Sequence, residues 1–315
     1  MANKRVFYAS QGVAVAQSGV TSPTTVTGAQ SVTMNTNFNL EQVFQLGQLA
    51  IYDNVVGDPS VEVSISKSLD GNPTIYNLAC GSGSLIATSS NVSKVEFCVG
   101  SDTVNKVGDN LTSIPKITCD PIYLQSLSYN FAVDGDFSEE VTFVGLSKTI
   151  GTGTVTTPGD GNAERQTVLR RQNFNQSTST LPSQVTGKNI QSISISADLG
   201  RESMYKLGKF KEFHRYVNFP LEISLDIEVI ADGLDTIGVD VPDASCSGLN
   251  LPKEDCTLQF CDSEGSGTYT FTLGDATLTS VAFGGGDTGG GNANLTFSYV
   301  VYNSFTVASS ASHAG

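Results

Sequence analysis

Apolar and polar residues alternate along much of this chain, and the alternation comes in two matching passages. Residues 30–38 (QSVTMNTNF) and 191–199 (QSISISADL) each repeat with a period of two, the pattern of a half-buried strand. Each leads into a glycine-centred segment, 40–53 and 201–215. In the first, Val43, Leu46, Leu49 and Tyr52 fall at every third position; in the second, Met204, Leu207, Phe210 and Phe213 do the same. That spacing predicts a short helix or a tight irregular turn, and the central Gly47 and Gly208 argue against a long helix. Beyond Pro59 and Pro220 come two more alternating strands, 61–66 and 221–230, and Asp70-Gly71 and Asp232-Gly233 mark the turns after them.

The two passages align at a constant offset of 161 positions, which carries Gln30, Ser31 and Val32 onto Gln191, Ser192 and Ile193. The same offset puts Glu41 on Glu202, Phe44 on Tyr205, Leu46 on Leu207, Gly47 on Gly208, Tyr52 on Phe213 and Pro59 on Pro220. One residue is then lost, and Val61–Ile65 matches Leu221–Leu225. Further on, Val95-Glu96-Phe97-Cys98 resembles Leu258-Gln259-Phe260-Cys261, and 124–143 matches 278–297 without a gap. Matched blocks in the same order predict two copies of one fold.

Length agrees with that division, since 315 residues suit two domains of about 150 each. The expected units are 1–148 and 163–308, separated by a Gly/Thr/Pro-rich linker, 149–162, and followed by a tail, 309–315. A charged fraction of 15%, 32 glycines and no tryptophan suit a mainly β protein rich in turns. The net charge of −14 is spread over both halves, with 7 basic and 13 acidic residues in 1–158 and 10 and 18 in 159–315. A chain of this charge repels nucleic acid. The opening MANKRVFYASQG lacks the apolar core of a signal peptide, and no run approaches the length of a membrane helix, so neither export nor membrane insertion is expected.

Candidate chemistry is sparse. The histidines, His214 and His313, have no counterparts in the other half, and no GxSxG nucleophile elbow is present. Asp134, Asp136, Glu139 and Glu140 form the densest acidic cluster, which lacks the spacing of a calcium loop and reads as a solvated hairpin tip. Asp226 and Glu228 are expected on one strand face, and the 284–292 run (GGGDTGGGN) as a hairpin tip rather than a phosphate loop. The six cysteines form no CxxC pair or zinc spacing. These observations predict neither an enzyme nor a cofactor or metal site. One asymmetry stands out: Lys206, Lys209, Lys211 and Arg215 make the second glycine-centred segment basic, where the first has Gln45, Gln48, Ala50 and Asn54. A complementary contact between unlike copies is the sharper reading of that difference, and a solvated face the plainer one.

The passage FNLEQVFQLGQLAIYDNV followed by DPSVEVSISKSLDG resembles major tail tube proteins of tailed bacteriophages. The resemblance covers residues 31–71 best and reaches the second half through residues 204–226. It implies two tandem tail-tube-like β-sandwich or barrel domains, each with a short flanking helix. It also implies self-assembly into stacked rings that form a hollow tube in the virion tail, assembled in the host cytoplasm. The implied partners are further copies of the chain, with tape measure protein and genomic DNA passing through the lumen without tight binding, and a tail sheath around tubes that have one. Tube rings of this family contain six domains, so three two-domain chains would close a pseudo-hexameric ring; six chains, with one half as an outer elaboration, is the alternative. Expected assembly contacts are Gly47, Leu49, Tyr52, Gly208, Phe210, Phe213, Lys206, Lys209, Lys211 and Arg215. Rival readings are a head decoration or tail completion protein and, from another class, a secreted carbohydrate-binding adhesive protein.

Overall fold

The alternating segments form strands, and the strands join into one sheet that crosses both halves of the chain. The computed structural model describes residues 6–81, 84–88, 91–101, 114–153, 168–231, 253–261, 268–285 and 293–309. The first half contains β1 (Val6–Gln17), β2 (Thr24–Thr25), β3 (Ala29–Asn37), β4 (Leu40–Phe44), β5 (Ile51–Val56) and β6 (Ser60–Ser68). After the short helix α1 (Ile75–Cys80) and the single turn α2 (Leu85–Thr88) come β7 (Ser93–Ser101), β8 (Ile114–Ala132), β9 (Ser138–Gly145) and β10 (Thr149–Gly153). The second half adds β11 (Ile190–Asp198), β12 (Glu202–Met204), β13 (His214–Tyr216), β14 (Glu222–Ile230), β15 (Lys253–Cys261), β16 (Thr268–Gly284), β17 (Asn294–Tyr302) and β18 (Phe305–Ser309). Fourteen of these strands share one sheet, and every pairing among the described strands is antiparallel.

The pairing pattern occurs twice. In the first half β3 pairs β6, β6 pairs β9, β9 pairs β8, and β8 also pairs β7 and β10. In the second, β11 pairs β14, β14 pairs β17, β17 pairs β16, and β16 also pairs β15 and β18. Bulges repeat as well, at Ala29/Ser31 and Ile190/Ser192, at Leu124/Ser126 and Leu278/Ser280, and at Ser93/Val95 and Glu254/Cys256. A bulge fixes register locally, so these pairs anchor the equivalence of the copies.

That register corrects the alignment read from the sequence. The row Val32–Ile65–Val141–Leu127 corresponds to Ile193–Ile227–Phe297–Val281. Val61 is therefore the counterpart of Ile223 rather than Leu221, Phe143 of Tyr299 rather than Phe297, and Val95 of Cys256 rather than Leu258. Each displacement is two residues, one strand period, which leaves the inward and outward pattern unchanged and hence undetectable in sequence.

The two units are not separate bodies. The last segment of β8 pairs β11, with Ser126 opposite Asp198, Tyr129 opposite Ile195 and Ala132 opposite Ser192, and one hydrophobic core runs through both halves. At its centre Phe131, Phe137, Phe260 and Phe271 stack or meet edge to face at centroid distances of 4.4–5.6 Å. The expected linker also begins late: Thr149–Gly153 forms β10, which pairs β8 as β18 pairs β16. The rest of the linker, the Asp232-Gly233 turn, residues 286–292 and the tail from 310 lie outside the described residues, as do the residues after β14 where a second flanking helix would fall.

The glycine-centred segments are hairpins, not helices. β4 pairs β5 from Leu40↔Val56 to Phe44↔Ile51, and β12 pairs β13 from Glu202↔Tyr216 to Met204↔His214. The three-residue spacing arises because Val43 and Tyr52 lie on opposite arms while Leu46 and Leu49 lie in the turn between them. Both turns close alike, Gln48 N donating to the Gln45 carbonyl at 3.2 Å and Lys209 N to that of Lys206 at 3.3 Å. Gly47 (φ +87°) and Gly208 (φ +83°) supply the left-handed position such a turn requires.

Candidate assembly interface

Three surfaces are set out by the fold: one face of the sheet, two matching edge segments with no described partner, and the two hairpins. On β3, β6, β9, β8, β11, β14, β17 and the end of β16, alternate residues point away from the core. Across the strands these outward residues form rows such as Ser31–Ser66–Glu140–Ser128–Ser196–Ser224–Val300 and Asn130–Ser194–Asp226–Ser298–Ser280. From the last segment of β8 onward and on β3, β6 and β9 the charged members of this face are acidic, among them Glu62, Glu140, Asp226 and Glu228; on the first part of β8, Lys116 points to the same side and pairs with Glu96 at 3.1 Å. Asp226 and Glu228 do share one face of β14, where Glu228 accepts from the Ser192 hydroxyl at 3.0 Å and from Asn294 at 2.7 Å.

The edges follow from the repeat. β8 is paired along both sides of its last segment, by β9 and by β11. The equivalent segment of β16, from Ser280 to Gly284, has β17 on one side and no described strand on the other. At the far end of the sheet β3, the counterpart of β11, pairs only β6 among the described strands. One open edge is thus of the β8 type and the other of the β11 type.

Side chains at the two open edges are exposed where their counterparts at the β8–β11 junction are buried. Tyr129 is 1% exposed and its counterpart Phe283 is 57%; Leu199 is 1% exposed and its counterpart Phe38 is 59%. Single exposed apolar residues are ordinary, but here an exposed aromatic residue lies at each of two strand edges that have no described partner.

The hairpins carry most of the remaining exposed apolar residues. Gly47, Leu49, Tyr52, Gly208, Phe210 and Phe213 are all exposed, and Leu46, Leu49 and Leu207 are fully so. Lys206, Lys209 and Lys211 are exposed on the second hairpin, Lys206 Nζ lying 5.8 Å from the Phe213 ring centroid. Arg215 corrects the expectation of a fully exposed basic strip: it is buried and paired with Glu212, with Nη2 to Oε2 at 3.0 Å and Nε to both oxygens at 3.1 Å. The second hairpin leans on the first half of the chain. The Arg201 guanidinium lies 5.2 Å from the Tyr123 ring centroid and its Nε donates to the Leu124 carbonyl. Burial, then the charge of Glu212, raises the Tyr123 hydroxyl pKa, and Tyr205 shares a hydrogen bond with Asp58.

The acidic cluster divides. Asp134, Asp136 and Glu140 are exposed, Asp136 accepting from Arg170 Nε at 2.7 Å. Glu139, by contrast, is fully buried: it accepts from the backbone N–H of Ile75 (2.7 Å) and Tyr76 (3.0 Å) and from the Tyr129 hydroxyl (2.8 Å). It thereby satisfies two orphan donors at the start of α1. Burial raises its pKa, against the opposing charge of Lys67, itself buried and 3.1 Å from Asp70. His214 is exposed on β13, and His313 lies outside the described residues. Among the described residues no group of three His, Cys, Asp or Glu is arranged to hold a metal, and Cys80, Cys119, Cys256 and Cys261 are free thiols.

Sequence reasoning did not find the open edges, Phe38, Phe283 or the Arg201 seat; the exposed aromatic residues were visible, but which strands lack neighbours depends on pairing. No protein-family model matches the chain, and no curated protein is significantly similar to it.

Proposed function

We propose that the chain is a structural virion protein whose copies close into rings and whose rings stack into the hollow tail tube of a tailed bacteriophage, a conduit for DNA ejection. The observation that carries this reading is the β8–β11 junction, which joins two like units inside the chain, while the matching pair of edges, on β3 and on the end of β16, has no described partner. When β3 of a second copy takes the position of β11, the in-chain register transposes directly. Ser280 then faces Asn37 of the neighbour, Ala282 faces Asn35, Phe283 faces Met34 and Gly284 faces Thr33. Such a contact joins two different surfaces, so it repeats head to tail and ends only when the ring closes. Three chains supply six units, and closure pairs the β3 and β16 segments that have no described partner on that side within one chain.

Curvature follows from layering. The core and α1 occupy one side of the sheet, and a packed layer needs the larger circumference, so the polar, acidic face turns inward. A lumen of Ser, Thr, Asn, Asp and Glu lets tape measure protein and DNA pass without gripping them, because phosphate binding needs Lys and Arg. Assembly in the host cytoplasm, a location in the virion tail and the absence of catalysis belong to the same reading.

Electron microscopy of the purified protein with mass measurement of the assembled rings tests it. Open-ended hollow tubes with three chains per ring are expected. Capped particles would point to a decoration or completion protein, and stable sugar-binding monomers to an adhesive one; either contradicts the tube. Six chains per ring would keep the tube and remove the two-units-per-chain arithmetic.

A further inference from the structure

We infer that rings close through an apolar seat between copies, in which the first hairpin of one chain docks on the second half of its neighbour. The inference rests on the ring reading and adds to it which side chains make the closing contact. Inside the chain the second hairpin already occupies such a seat, and that seat is polar. Tyr205 meets Asp58, Arg201 covers Tyr123 and the Leu124 carbonyl, and the buried Glu212–Arg215 pair lies close by.

The repeat transposes every one of these groups. Tyr205 becomes Phe44, Asp58 becomes Phe219, Arg201 becomes Leu40, Glu212 becomes Ile51 and Arg215 becomes Asn54, while Tyr123 and Leu124 become Thr277 and Leu278. The chain leaves the edge strand identically in both copies, since Asn39 N donates to Asn37 Oδ1 at 3.1 Å and Gly200 N to Asp198 Oδ1 at 3.0 Å. A hairpin with the same root and the same turn therefore meets its neighbour at the equivalent place. Phe44 of the incoming copy lands on Phe219, and Leu40 on Thr277 and Leu278. Phe44 is 67% exposed, Phe219 57%, Leu40 64% and Ile51 42%, so all four have area to bury.

A second copy of this chain is the occupant because the seat continues the β16 edge that has no described partner, and because Tyr205 and Asp58, which meet inside the chain, both become phenylalanine, Phe44 and Phe219, as Arg201 and Glu212 become Leu40 and Ile51. The mismatch also sets order around the ring. A second hairpin entering the seat at Phe219 would bury Arg201 and the Glu212–Arg215 pair against apolar side chains without their partners, a costly arrangement. Like units are thereby kept from meeting, and the units alternate.

Paired cysteine substitutions test this on the full chain. Phe44→Cys with Phe219→Cys is oxidised in assembled protein and run without reductant, beside each single variant and beside Met34→Cys with Phe283→Cys as a report on the strand junction. Both double variants are expected to give covalent oligomers up to the ring, and the single variants none beyond background. Phe44→Ser, at an exposed site, is expected to keep the monomer folded and raise the concentration needed for assembly about tenfold. Added salt is expected to leave that concentration unchanged or lower it, as for an apolar contact. Cross-linking at 34/283 without cross-linking at 44/219, or normal assembly of Phe44→Ser, overturns the seat and leaves the ring standing. No assembly and no cross-linking at either pair overturns both.

Discussion

The hairpin around Gly47 and the hairpin around Gly208 have the same pairing, the same turn and the same positive φ at the glycine, yet their side chains face different demands. The first bears Leu40, Phe44 and Ile51, all exposed; the second bears Arg201, Tyr205 and Glu212 at the same places, engaged with the first half of the chain. The backbone is alike where a turn needs glycine, and the side chains differ; on the assembly proposed above, that difference follows whether the neighbour is covalently attached. A tethered neighbour is always present, so its seat can rely on directional polar contacts. In the proposed ring a free neighbour is captured from solution, and apolar burial would supply that drive without dependence on ionic strength.

The same divergence marks the interior. Glu139, Lys67 and Tyr129 form a buried polar group beneath α1, and their counterparts are Leu295, Val229 and Phe283. The largest effect is therefore expected from Glu139→Ala, which strands two backbone donors and removes the carboxylate that the Tyr129 hydroxyl donates to and that Lys67 attracts. Urea unfolding is expected to show a loss of about 3–5 kcal/mol. A loss below about 1 kcal/mol would mean that the polar group is dispensable and the contrast between the halves is without consequence.

Next comes the shared turn. Gly47→Val and Gly208→Val have open space around the added side chain but force a β-branched residue into the left-handed region. Each is expected to cost about 1–2 kcal/mol in thermal or chemical unfolding. The two losses should match, because the backbones match; a loss at only one of them would break the equivalence.

The smallest effect concerns pH. Burial alone would raise the Glu96 pKa, but hydrogen bonds and charge from Lys94 (2.8 Å) and Lys116 (3.1 Å) outweigh it and hold the carboxyl below its ordinary range. A folded pKa below the unfolded one contributes stability above the ordinary carboxylate range, and this is lost as pH falls through it. Glu96→Gln is expected to flatten the acid side of the stability curve by on the order of 1 kcal/mol or less. The counterparts of Glu96 and Lys116 are Thr257 and Thr270, so double substitution there should leave the acid side unchanged.

Much of the architecture was legible. Alternation located β3, β6, β11 and β14, and the Gly47/Gly208 echo revealed the duplication with the right offset through both hairpins. Helical spacing around the glycines misled because two arms and a turn produce the same triplets as one helical face. Register slips of two residues were invisible because a strand reads identically after one period. The burial of Glu139 and the pairing of Arg215 were hidden for another reason: both depend on which distant backbone and side-chain groups the sheet brings beside them. The open edges are a property of pairing alone, and no local pattern encodes them.

High-resolution image reconstruction of assembled tubes tests the central claim most directly, that the junction inside the chain is repeated between chains. Three chains per ring are expected, with β3 of each paired to Ser280–Gly284 of the next and Met34 opposite Phe283. Rings in which β3 stays unpaired, or in which like units meet, would contradict it.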